Sequence, residues 1–249
     1  IDMPTYMPVH DKDEEETVAR EQVPMGRVVI LEDTDGDGMM DSFRVFADEL
    51  ILPRAIKVLN DGVLVAEPPR LWLIRDTNGD GRGDTREVVS ETYGDPVNVT
   101  VQSMPSGLIW GVDNWLHSAN DGAVSLRRVD GYWQTRPFKR LGQWGMNQDD
   151  WGRLYSSSNT WPLEAHLVPY GYSERHPQFE LTSGKNERIA PNQPLWPAHV
   201  TGVNRGYRVG VVTREDGTLR MNTAATTPVI YRGGQFGEEY AGNAFTPEP

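Results

Sequence analysis

The sequence predicts an all-β protein built on the β-propeller plan. Three observations carry that expectation. One acidic hairpin loop is written twice, 43 residues apart. A turn-and-strand unit recurs at Asp61, Asp113 and Asp150, spacings of 52 and 37 residues that bracket a four-stranded propeller blade. Sustained helical periodicity is absent, while 25 Gly and 18 Pro supply the punctuation that many short strands need.

In chain order, Arg27-Val28-Val29-Ile30-Leu31 reads as a strand, followed by the loop Asp33-Thr34-Asp35-Gly36-Asp37-Gly38-Met39-Met40-Asp41 and a second strand from Ser42 to Phe46. Pro53 to Lys57 is too short for a helix. Asn60-Asp61-Gly62-Val63-Leu64-Val65-Ala66 is the first turn-and-strand unit. Arg70 to Ile74 is a strand that enters the second loop, Asp76-Thr77-Asn78-Gly79-Asp80-Gly81-Arg82-Gly83-Asp84, and Arg86 to Val89 leaves it. The unit returns at Val112–Ser118 and at Asp149–Ser156. From Leu163 to Pro197 the pattern breaks into a Pro-rich stretch, expected as an irregular insertion over one mouth of the ring. Strands resume at Tyr207–Val212 and Pro228–Tyr231, and Gly242 to Pro249 reads as a strand cut short. The chain is thus expected to be one propeller domain over 1–249, of about four blades and open at both ends.

The two loops are the candidate metal sites. Hard cations such as Ca²⁺ take six to eight oxygen ligands, and acidic residues at loop positions 1, 3 and 5 with Gly at 6 supply them. In the first loop the ligands are Asp33, Asp35, Asp37 and Asp41, with the carbonyl of Met39. In the second they are Asp76, Asn78, Asp80 and Asp84, with the carbonyl of Arg82 and Glu87 at position 12. The first loop has Arg44 at that position, so its site is expected to be the weaker. An EF-hand needs flanking helices. These flanks read as strands, so the loops are expected at the tips of β-hairpins. Asp and Gly are also ordinary turn residues, and two ion-free turns fit the same letters.

Composition narrows the function. The formal net charge of −12 and a pI near 4.9 argue against a nucleic-acid footprint. Part of the acidity lies in the two loops, and part in Asp11-Lys12-Asp13-Glu14-Glu15-Glu16, which reads as solvated. With no Cys, the segment holds no disulfide, zinc-thiolate site or covalent c-type haem. No apolar run approaches the length of a membrane span. The start at Ile1 reads as a processed or internal end. Asn98-Val99-Thr100 is a chance match to a glycosylation acceptor.

Of the five histidines, His117 lies on a predicted strand and reads as a core or channel-wall residue; His166, His176 and His199 share the Pro-rich stretch, and His10 stands apart. The eight Trp read mainly as packing residues, with Trp144 and Trp151 near Asn147 and Asp150 as candidates to line an opening.

Several runs carry a family resemblance: Arg27 to Gly38, Gly62 to Pro69, Gln148 to Leu154, Gly202 to Tyr207, Ile230 to Gly234 and Phe245 to Pro249. Together they resemble the planctomycete-type "membrane-bound dehydrogenase" propeller family, over nearly the whole chain. Members look like six-bladed propellers similar to soluble quinoprotein glucose/sorbosone dehydrogenases. They are exported, and many continue into a c-type cytochrome domain with a Cys-x-x-Cys-His motif, which this segment lacks. The resemblance implies a periplasmic or extracytoplasmic oxidoreductase acting on a small sugar or alcohol. It implies pyrroloquinoline quinone as cofactor and a c-type cytochrome as electron acceptor. No catalytic His or Arg matches a family motif, so catalytic and cofactor-binding residues stay unassigned; Arg205 and His166 are candidates to face a quinone. The alternative is a non-catalytic calcium-binding propeller, a scaffold subunit whose ring is completed by other strands, from this polypeptide or a partner. A hydrolase or lyase on the same scaffold is a third class, because fold does not fix chemistry.

Overall fold

The computed structural model describes residues 23–94, 104–120, 124–137, 141–169, 172, 178, 180–190, 195, 211–216 and 218–248. Among them there is no α-helix, and one 3₁₀ turn occupies Glu238–Tyr240. Among the described residues no helix is long and apolar enough to cross a membrane.

Among the described residues sixteen strands follow one another: β1 (Gly26–Glu32), β2 (Ser42–Leu50), β3 (Ala55–Leu59), β4 (Gly62–Glu67), β5 (Arg70–Arg75), β6 (Thr85–Ser90), β7 (Ser106–Trp110), β8 (Leu116–Ala119), β9 (Val124–Val129), β10 (Tyr132–Pro137), β11 (Trp144–Gln148), β12 (Leu154–Ser158), β13 (Trp161–His166), β14 (Glu187–Ala190), β15 (Val229–Ile230) and β16 (Ala244–Phe245). Three sheets have four strands in sequence order, β3 to β6, β7 to β10 and β11 to β14; β1–β2 and β15–β16 are two-stranded. These repeated meanders are the blade unit of a propeller, as the sequence predicts.

The strands form where β-branched and aromatic residues alternate, and they end at turns chosen by Asp, Asn and Gly. Leu59 pairs with Gly62 across Asn60-Asp61. Val129 pairs with Tyr132 across Asp130-Gly131, both at positive φ, as a two-residue hairpin turn with this twist requires. The turns before β8 and β12 share one hydrogen-bond plan. Gly111 N–H donates to the Trp115 carbonyl and Asn114 N–H to that of Gly111; Asp149 N–H donates to Arg153 and Gly152 N–H to Asp149. The sequence repeat pairs Asp113 with Asp150; the hydrogen bonds pair Asp113 with Trp151, one residue further on.

The chain forms two compact units, Ile1–Leu108 with Gly122–Phe138, and Ile109–Asp121 with Lys139–Pro249. In the first, Val28, Phe46, Ala47 and Leu50 of β1–β2 bury against Val65 and Ile74 of β4 and β5. Leu64, Val65, Leu71, Leu73 and Ile74 are fully buried, each stabilising by about 1.5–3 kcal/mol. β6 is exposed along most of its length and carries Arg86 and Glu87, which suits an edge strand. In the second unit Tyr155, Ala165 and Ile230 form a small core, and Asn147 Oδ1 accepts the Ile230 N–H at 3.0 Å. Inside the range read as a Pro-rich insertion, Leu163 to His166 completes β13, and Leu163 pairs with Ala190 of β14. Strand periodicity there is carried by only four to six residues on each side, which the surrounding prolines mask in the sequence. The run Tyr207–Gly210 lies outside the described residues, and Val211-Val212 stands in a turn rather than a strand.

Candidate functional site

The acidic loops are the tips of two matching hairpins. Glu32 pairs with Ser42 below the first, and Arg75 with Thr85 below the second. Strands, not helices, carry both loops. In the first loop the two Asp33 oxygens accept N–H bonds from Gly36 (2.7 Å) and Gly38 (2.9 Å). Those backbone donors, Gly38 foremost, hold the Asp33 carboxyl below its ordinary range. Asp35 accepts from Asp37 N–H and Asp37 from Met39 N–H. The chain turns inward at Gly36 and Gly38, both in the left-handed region that glycine tolerates. One carboxylate oxygen each of Asp33, Asp35 and Asp37 lies within 4.8 Å of the others. Like charges this close favour a cation among them.

The second loop repeats the arrangement. Asp76 accepts from Gly79 (2.6 Å) and Gly81 (2.8 Å), and Gly81 is the main reason its carboxyl is also held low. Asn78 accepts from Asp80 N–H, and Asp80 from Arg82 N–H. At the ninth position, Asp41 and Asp84 accept from the N–H and hydroxyl of Thr34 and Thr77, closing the neck of each loop. Position 12 also has a structural partner. Arg44 bonds Glu32 at 2.7 Å, and Glu87 bonds Arg75 at 2.7 Å, the same cross-strand pair with its charges exchanged.

A second cluster lies in the other unit. His117, on β8 and 2% exposed, bonds Asp113 Oδ1 through Nε2 at 3.0 Å. His166, at the end of β13 and 6% exposed, accepts the Asn186 N–H at Nδ1 (3.1 Å). Its neutral ring therefore carries the proton on Nε2. Burial first, then Lys185 and His117, push its pKa down to about 3. Buried Asp149 accepts Trp151 and Arg153 N–H bonds at Oδ1, and Arg153 Nε and the Tyr155 hydroxyl at Oδ2. Burial opposes its charge, yet these donors hold its carboxyl below the usual range. Arg153 in turn lies over the Trp151 ring at 5.0 Å. Asp113, His117, Trp151, Arg153 and His166 line one cavity of ≈140 Å³, walled by Val112, Leu154, Val168 and Pro169.

A family model matches residues 1–249, the whole chain. The chain belongs to the DUF7133 family, a domain of unknown function. No curated protein and no solved structure matches it.

In this DUF7133 chain every residue singled out as a metal ligand belongs to the two hairpins. The structure brings His117 and His166 to one cavity; His10, His176, His199 and Arg205 lie outside the described residues. Trp151 stands at the cavity, whereas Trp144 Nε1 is bonded to Asn159 and Asp150 to Arg232. Sequence reasoning missed Asp113, Asp149, Arg153 and Tyr155. The available signal was an Asp followed four residues later by a basic side chain in both turns, Asp113–His117 and Asp149–Arg153.

Proposed function

We propose that this DUF7133 chain is a calcium-binding propeller protein whose paired hairpin loops each hold one Ca²⁺. The observation that carries the reading is the convergence of Asp33, Asp35 and Asp37 in a loop already folded by its own backbone donors. An all-oxygen, multiply acidic loop suits Ca²⁺, which accepts irregular coordination, better than the smaller Mg²⁺, which demands near-octahedral geometry. Neutralising the cluster would brace the hairpin tips. Adding Ca²⁺ is expected to raise the melting temperature and a chelator to lower it, because the ion binds only the folded loop. In calorimetric titration, Asp80→Ala is expected to weaken binding more than Asp41→Ala, whose side chain closes the loop neck. An unchanged melting temperature, with no heat of binding, rejects the reading.

The pairing of buried His117 with Asp113 beside a cavity favours a second reading, the exported oxidoreductase that the family resemblance implies, passing electrons to a c-type cytochrome. The cavity itself does not fit pyrroloquinoline quinone. That tricarboxylate needs several cations, and the lining offers Arg153, held by Asp149, with Asp113 alongside. A quinone would have to be held elsewhere. Dye reduction by the full chain supplied with the quinone and candidate sugars or alcohols tests this reading; no turnover leaves the calcium-binding scaffold.

A further inference from the structure

The second acidic loop leans on the first hairpin, through alternate residues of β2. Gly83 N–H donates to the Phe46 carbonyl at 2.7 Å, and Arg86 Nη2 donates to the Asp48 carbonyl at 2.7 Å. Arg44, two residues before Phe46, makes the third contact. A Cβ on Gly81 would stand 2.9 Å from Arg44 Nη1 and 3.0 Å from its Cζ and Nε. Three bonded atoms at nearly one distance mean that the guanidinium lies face-on over the glycine. Its remaining nitrogen, Nη2, is turned to Glu32 and bonds it at 2.7 Å. Gly38, the matching glycine of the first loop, has open space where a side chain would be. Position 12 of the first loop therefore covers position 6 of the second, while position 6 of the first is uncovered.

That contact places a full positive charge beside the second ligand set. Gly81 N–H donates to Asp76, loop position 1, at 2.8 Å, and Arg82, whose carbonyl is the candidate ligand at position 7, follows directly. Arginine stays charged across the whole working pH range, so this cation is permanent. Toward an empty loop it is favourable, because it offsets part of the charge of Asp76, Asp80 and Asp84. Toward an arriving Ca²⁺ it is unfavourable, because like charges this close repel. We propose that Arg44 sets the calcium affinity of the second loop, as a fixed counter-ion with which the metal must compete. The proposal rests on the calcium reading of the loops and names the residue that tunes one of them. It also moves the penalty: Arg44 deprives the first loop of a ligand, yet its charge bears on the second.

The test is a calorimetric titration of the full chain with CaCl₂, in which Asp33→Asn and Asp37→Asn silence the first loop so that the heat reports the second. Adding Arg44→Met keeps the stem of the side chain and removes its charge. It is expected to tighten binding about threefold at about 50 mM KCl, and by less at about 500 mM, where salt shortens the reach of an exposed charge. Arg44→Lys keeps the charge and is expected to keep the affinity. Arg70→Met removes the same charge from the far end of β5, about 17 Å along the strand from Arg75, and is expected to change little. Loss of the contact alone would loosen the loop and weaken binding, so the sign separates a charge effect from a propping one. Unchanged or weaker binding in Arg44→Met, equal tightening in Arg70→Met, or heat from the unaltered chain alone overturns the proposal and leaves a calcium site standing. No heat in any form, the unaltered chain included, overturns the calcium reading and this proposal with it. If the silenced chain does not fold, Arg44→Met in the otherwise unaltered chain decides, by whether either of its two sites tightens.

Discussion

At the scale of single residues, charge is managed by neighbours close in sequence. Asp33 and Asp76 are held ionised by glycine N–H groups three and five residues on, and Asp149 by Arg153. These depressed carboxyls contribute stability above their unfolded range, near pH 3.8, which is lost as pH falls through the lower folded values. His166 acts in a different window. Its folded pKa is about 3 against 6.5 for the free side chain, so between those values the unfolded chain binds a proton that the folded chain refuses. Stability therefore falls as pH drops from about 6.5 toward 3, by up to about 1.4 kcal/mol per pH unit. Urea denaturation at pH 7 and pH 5 should show the loss, and His166→Gln, which can still accept the Asn186 N–H, should flatten it. Little of this was legible beforehand. The depressed pKa of His166 depends on Lys185, on His117 and on burial among strands distant in sequence.

At the scale of elements, the hairpins were the most legible part of the chain. Loop letters, glycine positions and β-branched flanks all lie within about twenty residues, so no long-range pairing had to be guessed. The role of position 12 was not legible, because a ligand and an ion-pair partner are written with the same letter. Glu87 pairs with Arg75, and Arg44 with Glu32. Exchanging one pair is a direct check. Arg44→Glu is expected to lower stability by less than about 1 kcal/mol, since both groups are exposed, and Glu32→Arg added to it should restore the loss. Additive effects in that double-mutant cycle would show that the pair contributes nothing. The β13–β14 hairpin was hidden for the opposite reason: its strands are short, and the residues between them are too many to suggest a turn.

At the scale of the whole molecule, the blade period announced the strand-only architecture, while the cavity was unreadable. Its lining comes from residues 111–117, 151–154 and 166–169, brought together by strand order alone. Far-ultraviolet circular dichroism is expected to show less than about a fifth helix, given no α-helix among the described residues. Hydrogen exchange should be slowest in β4 and β5, where Leu64, Val65, Leu71, Leu73 and Ile74 are fully buried, and faster in β15 and β16. The reverse order would mean that the core lies elsewhere.

The third and fourth strands of the first two four-stranded sheets are joined in two ways. β5 and β6 are joined by the acidic loop from Asp76 to Asp84, β9 and β10 by Asp130-Gly131 alone. Both joints close on paired strand ends, Arg75 with Thr85 and Val129 with Tyr132. The acidic loop is thus a cassette in a socket that a bare turn also fits. Such a socket lets evolution, or an engineer, fit or remove an acidic tip one blade at a time while the sheet beneath keeps its register.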